Sequence, residues 1–238
     1  MLALAIDTSG DVAGLALATE SKFLTELSFR QKMDLLKRLV PNIDRILTDA
    51  GKSRAELDGV IIALGPGSFT GLRIGMATAK SIAQVLGRPV AGVPTLDVLA
   101  EGAAAACPRS IATLIHARPG DVFWALYRWE DGKLQKVVED TASTVEEMVD
   151  VAKKEKKIVF CGDGAARNHG LLASTFGEES ILPEWFNTPR PSILAKLGID
   201  RLVKNDTDDL FGLVPRYVRR PTPVIRLEKG ELGKKKTG

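Results

Sequence analysis

Leu64-Gly65-Pro66-Gly67-Ser68-Phe69-Thr70-Gly71-Leu72-Arg73-Ile74-Gly75 joins a β-branched run to a long apolar segment of helical spacing. Upstream, Val60, Ile61 and Ile62 predict a strand over 58–64, and downstream the periodicity predicts a helix over about 71–86. The glycines and Pro66 between them confine the chain to a tight strand-to-helix turn. Such a turn fits two roles. With an N-cap it is a structural connection, and with the N–H groups beside its Gly, Ser and Thr left bare it is an anion-binding loop.

Working outward, residues 2–8 predict a buried strand ending in Asp7-Thr8-Ser9-Gly10, followed by strands near 13–19 and 22–30. Residues 33–50 place Leu36, Leu39, Val40, Ile43, Leu47 and Ala50 on a helical stripe, widened by Leu35 and Ile46. Pro41 inside it predicts a kink or a fresh start. A strand at 89–93 and a helix at 95–106 complete the first half. Further strands are predicted near 110–117, 121–129 and 133–141. A helix over 144–156 follows, opened by a capping box of Thr144 and Glu147. A strand at 157–161, the turn Gly162-Asp163-Gly164, helical segments at 165–176 and 191–204, and an extended piece at 214–219 close the series.

Three strands, a helix, a strand and a helix thus occur twice. Ile6-Asp7-Thr8-Ser9-Gly10-Asp11-Val12 also lies over Ile115-His116-Ala117-Arg118-Pro119-Gly120-Asp121-Val122, with one residue inserted. This order predicts an α/β protein of two duplicated actin-like ATPase (RNase H-like) lobes, each a mixed five-stranded sheet in βββαβα order. The predicted boundaries are 1–106 for the first lobe, 107–220 for a smaller second lobe and 221–238 for a basic, disordered tail.

Composition narrows the class. A hydrophobic share of 45% and a charged share of 26% are those of an ordinary globular protein. Cys107 and Cys161 form no CxxC or Cys/His cluster, which argues against a disulfide scaffold and a zinc site. Asp7 interrupts the first apolar run, which also lacks a basic flank, so it does not read as a signal peptide. No stretch approaches the roughly 20 apolar residues that cross a bilayer. A cytoplasmic protein is expected.

The net charge of +3 is uneven: residues 216–238 carry +6 and residues 1–215 carry −3. The tail fits either a solvated terminus or a contact to RNA phosphates.

Chemistry is sparse. Asp7 ends the first strand, where it fits either a phosphate- or metal-facing carboxylate or a turn cap. Its counterpart in the second half is His116, so half of a phosphate clamp is missing. His116 and His169 form no HxxxH or HExxH pair, and no GxxxxGK[ST] loop or GxSxG elbow occurs. Ser68 has no candidate base beside it. No catalytic or metal-ligating residue is therefore expected. Apolar helix surface, by contrast, is abundant. Gly75, Ala79 and Ala83 form a small-residue stripe on a helix that is apolar nearly all round. That stripe fits close packing either within its own lobe or against a partner.

Three segments together resemble the bacterial TsaB family, also called YeaZ: Ala5-Ile6-Asp7-Thr8-Ser9, the 65–75 turn, and Gly92-Val93-Pro94-Thr95-Leu96. Ala117-Arg118-Pro119-Gly120-Asp121-Val122-Phe123-Trp124 resembles that family's second-lobe opening, and Pro215-Arg216-Tyr217-Val218-Arg219 its C-terminal signature. The resemblance runs from about residue 2 to 220. It implies a non-catalytic subunit of the machinery that makes N6-threonylcarbamoyladenosine (t6A) at position 37 of tRNAs reading codons that begin with A. The implied partners are the catalytic subunit TsaD, the ATPase TsaE, tRNA through the complex, and a second copy when the chain is alone. ATP and Mg²⁺ are used by such a complex, with no cofactor held tightly by this chain.

Asp7, Thr8, Gly65, Gly67 and Ser68 are then expected to be remnants of a nucleotide site. The expected partner interface comprises Leu36, Leu39, Val40 and Ile43 with Thr70, Arg73, Ile74, Gly75, Ala77 and Thr78. Two departures stand out: His116 replaces the family's usual Asp, and Lys32-Met33-Asp34 replaces an early-helix His. The alternative is an ATP-dependent small-molecule kinase of the same superfamily, which needs a base and a full phosphate clamp. A glycopeptidase, suggested by old annotations of the family, lacks a nucleophile–base pair or metal site.

Overall fold

The computed structural model describes residues 1–31, 34–104, 107, 109–130, 132–216 and 218. The predicted tail, 221–238, and the departure at Lys32 and Met33 lie outside them. β1 (Leu2–Asp7), β2 (Val12–Thr19), β3 (Phe23–Arg30), β4 (Gly59–Ala63) and β5 (Val90–Val93) form one sheet in the order β3-β2-β1-β4-β5. β1 pairs antiparallel with β2 and parallel with β4, which places Asp7 and the turn after Ala63 at the same end of adjacent strands. Both strands are buried along their whole length, as expected of a sheet covered on both faces.

The connecting helices are α1 (Leu35–Asp49), α2 (Phe69–Leu86) and α3 (Thr95–Ala104). Pro41 does not split α1. It is exposed within a single continuous helix, where water can meet the carbonyl left without an N–H partner. α2 starts two residues earlier than predicted, because Ser68 accepts the Gly71 N–H, and it ends on Gly87 at φ 61°.

The second sheet contains β6 (Ser110–Arg118), β7 (Asp121–Glu130), β8 (Lys133–Thr144) and β9 (Ile158–Cys161), in the order β8-β7-β6-β9. It has four strands among the described residues instead of the five expected. The piece near 214–219 instead gives the Arg216 N–H to Leu64 O of the first lobe, so it does not extend the second sheet. α4 (Val145–Ala152) carries the capping box of Thr144 and Glu147. The predicted helix over 165–176 is two, α5 (Asp163–Arg167) and α6 (His169–Phe176), broken at Asn168, whose side chain donates to Gly164 O.

The layering departs from the division by sequence. α1 and α2 cover one face of the first sheet, with Leu39, Ile43, Met76 and Ala79 in its core. The opposite face is covered by α7 (Pro191–Val203), from the far end of the chain, through Leu194, Ala195, Ile199 and Leu202. α3 in turn packs Leu96, Leu99 and Ala103 against Ile111 and Ala125 of the second sheet. Each lobe therefore lends its last helix to the other. Gly198 permits this contact, because a Cβ there would collide with Ile61 of β4.

Candidate functional site

Two loops meet where β1 and β4 end. Asp7 is buried, and its Oδ1 accepts the Ser9 N–H at 2.8 Å. The Thr8 hydroxyl donates to Gly71 O at 2.8 Å, and the Ser68 N–H donates to Ser9 O at 2.6 Å. A Cβ on Gly67 would penetrate Ser9 O, and one on Gly71 would penetrate Thr8 O. The 65–71 turn is thus interlocked with the 7–9 loop, backbone on backbone. The N–H groups of Ser68 and Gly71, which an open phosphate loop offers to an anion, are spent on Ser9 O and Ser68 Oγ.

Among the described residues no cation lies against Asp7 to offset its desolvation. Burial pushes its carboxyl above the usual range, and the Ser9 side-chain and backbone hydrogen bonds lower it only in part. A carboxyl raised in the folded state costs the fold nothing below the ordinary carboxylate pKa. The penalty grows as pH climbs from that value to the raised one and persists at pH 7. Asp7→Asn keeps an acceptor for Ser9, so it is expected to be more stable than the parent at pH 7 and to lose that advantage near pH 3. Urea unfolding at both pH values checks this. A variant less stable than the parent at pH 7 contradicts it.

The cleft between the lobes encloses about 420 Å³ and is lined by Ser9, Gly67, Ser68, His116, Arg167 and Arg216, among others. Of the five residues expected at a nucleotide site, Gly67 and Ser68 line this cleft. Asp7, Thr8 and Gly65 are buried behind it. The second lobe does contribute a carboxylate, though not at the aligned position. Asp163, at the start of α5, accepts the His116 backbone N–H at 3.0 Å and lies 3.9 Å from Arg167. The sequence comparison missed Asp163 because it follows a different strand from the one aligned with Asp7. Arg216 crosses the cleft: its N–H bonds Leu64 O at 2.8 Å while its guanidinium reaches Asp140 of β8 at 2.9 Å. Among the described residues no group of His, Cys, Asp or Glu side chains is placed to hold a metal ion.

The helix faces divide clearly. Leu39 and Ile43 of α1 and Gly75 of α2 are buried within their own lobe, so they are not surface contacts as expected. The small-residue stripe faces inward too. Ala79 and Ala83 are fully buried, and a Cβ added to Gly75 would meet Thr8 Oγ1 and lie 3.3 Å from Ile62 Cδ1. Small side chains there bring α2 close to its own sheet. Leu36, Val40, Thr70, Arg73 and Ala77 are exposed, and Ile74 and Thr78 are half-buried. Val85, 84% exposed near the end of α2, belongs to the same outer side and was not among the expected residues. The Arg73 guanidinium lies 3.8 Å from the centre of the Phe69 ring, which stiffens the first turn of the helix.

Residues 31–220 match the family model described as TsaD, tRNA N6-adenosine threonylcarbamoyltransferase. The chain is 31% identical over 221 residues to the tRNA threonylcarbamoyladenosine biosynthesis protein TsaB of Bacillus subtilis, an alignment covering 92% of this chain and 94% of that one. It is 30% identical over 187 residues to the protein of the same name from Buchnera aphidicola, covering 75% and 86%. YeaZ from Pseudomonas aeruginosa shares the fold at a TM-score of 0.74 and 24% identity, covering 91% of this chain and 99% of that one. A second Pseudomonas aeruginosa structure, described as uncharacterized with similarity to peptidase YEAZ, gives a TM-score of 0.78 at 23% identity, covering 92% and 99%.

Proposed function

Because the chain belongs to the TsaB family of tRNA threonylcarbamoyladenosine biosynthesis proteins, we propose that it works in t6A synthesis as a non-catalytic subunit that docks and activates a TsaD-type transferase. The observation that carries this is the outer side of α1 and α2. Leu36 and Val40 stand exposed on one helix, and Ala77 and Val85 on its neighbour. Exposed apolar side chains on two adjacent helices are a surface that a partner can bury.

The interlocked loops support the non-catalytic part. The N–H groups of Ser9, Ser68 and Gly71 are already taken within the two loops, and Gly67 is pressed on Ser9 O, which leaves a phosphate fewer donors than an open loop would offer. In this proposal ATP and Mg²⁺ act elsewhere in the complex, with a TsaE-type ATPase, and tRNA is met through the assembly. Alone, the chain would cover the same helix face with a second copy. Cytoplasmic operation belongs to the same proposal. Among the described residues, no helix is long and apolar enough to cross a membrane.

Co-expression with a TsaD-type protein tests the assignment. The two chains are expected to co-elute at micromolar concentration, with the homodimer displaced. Separate elution sinks the proposal. Tight Mg²⁺–ATP binding with turnover by the isolated chain would favour the kinase instead.

A further inference from the structure

The end of the second sheet opposite the cleft carries a basic surface whose residues do not line the cleft. β6 starts there at Ser110, paired in parallel with Ile158 at the start of β9, and the Ser110 N–H donates to Lys157 O at 3.2 Å. β6 and β7 pair antiparallel through Ile111 and Tyr127. Continuing both registers sets Arg109, Trp129 and Lys157 level at the ends of three neighbouring strands, all three exposed.

Beside them, Lys153-Lys154-Glu155-Lys156-Lys157 turns from α4 into β9. Glu155, the acid in this run, is held inward: its carboxylate accepts from Ser110 Oγ and pairs with Arg128, each at 2.7 Å. The four lysines are left facing water. Lys153 pairs with Asp150, whereas Lys154, Lys156, Lys157, Arg109 and Lys133 have no ion pair among the described residues. These cations are concentrated on a chain whose residues 1–215 carry −3 in total. Trp129, 40% exposed, supplies an aromatic surface at the same end.

We propose that this end of the second lobe binds RNA, with Arg109, Lys154, Lys156 and Lys157 contacting phosphates and Trp129 stacking on an unpaired base. A solvated lysine turn needs no exposed tryptophan beside it. Lysine point charges flanking an aromatic face are the combination that tracks a polyanionic backbone and accepts a base of any identity. The choice of tRNA as the RNA rests on the t6A assignment above; the polyanion chemistry does not.

The test is anisotropy titration of labelled, unmodified tRNA with the full chain at several salt concentrations. Lys154→Gln/Lys156→Gln/Lys157→Gln is expected to weaken binding about a hundredfold near physiological salt. It should also flatten the log–log salt slope by about 2 to 3, at ~0.7–0.9 per lost phosphate contact. Trp129→Ala is expected to weaken binding roughly tenfold while leaving the slope unchanged, since stacking releases no counterions. A control replacing exposed Lys22 and Lys204 by Gln should keep the parent slope. Thermal midpoints confirm that the surface variants are folded. A triple variant with parental affinity and slope overturns the proposal, as does a parent chain with no salt-dependent tRNA binding. Co-elution with the TsaD-type protein, measured in parallel, separates the two proposals: pairing lost with tRNA binding intact sinks the subunit assignment alone.

Discussion

Ala77→Arg is expected to abolish pairing with a TsaD-type partner while leaving the fold intact. Ala77 is exposed on α2, so an arginine there extends into water at little cost to the free chain. At a packed interface the same side chain must be desolvated, and its bulk holds the two surfaces apart. The loss should be on the order of 100-fold or more in affinity, the scale of about 3 kcal/mol at a hot spot. Val40→Asp on α1 should act in the same direction, and the two together should leave no complex at micromolar concentration.

Ala79→Arg is the informative contrast. Ala79 lies two residues away but is fully buried, so its replacement should unfold the chain instead of merely uncoupling it. Size-exclusion chromatography with light scattering reads the pairing, and thermal unfolding reads the fold. A co-eluting Ala77→Arg variant would remove α2 from the interface.

Gly67→Ala is expected to destabilise the protein by about 3 kcal/mol or more. The added Cβ would penetrate Ser9 O, a backbone atom that cannot swing aside as a side chain does. Moving that carbonyl would also break the Ser68 N–H bond to it at 2.6 Å, which helps seat the start of α2 on the 7–9 loop. The damage should therefore reach the docking face, and weaker partner binding should accompany the lower stability. Gly102→Ala is the control. It lies inside α3 with nothing within 4 Å of its Cβ, so the change should stabilise by up to about 1 kcal/mol through helix propensity. Equal urea midpoints for Gly67→Ala and the parent would refute the interlock.

Much of this molecule was legible in the chain itself. Uninterrupted apolar runs such as Leu2–Ile6 and Val60–Ile62 marked strands, and both lie inside the first sheet, away from its edges. Thr144 and Glu147 are a local signal whose hydrogen bonds close within a few residues, and they mark the start of α4 in the structure. The family motifs likewise belong to single loops. Long-range placement was a different matter. Periodicity shows that a helix has a face to bury, but not which sheet will bury it, and α3 and α7 each cover the sheet of the other lobe.

For the same reason the Gly75, Ala79 and Ala83 stripe could not be assigned from spacing. Inward and outward small-residue stripes look alike until Thr8 and Ile62 are found against one of them. Asp163 was missed because its contact with His116 spans 47 residues, beyond the reach of any local pattern. Most of the strands and helices, the Thr144 cap, the family and the glycine-rich turn could thus be read from the chain, because near neighbours set them. That this turn is locked against Ser9, and which side of α2 is exposed, emerged with the folded arrangement alone, because both depend on which distant atoms the fold brings into contact.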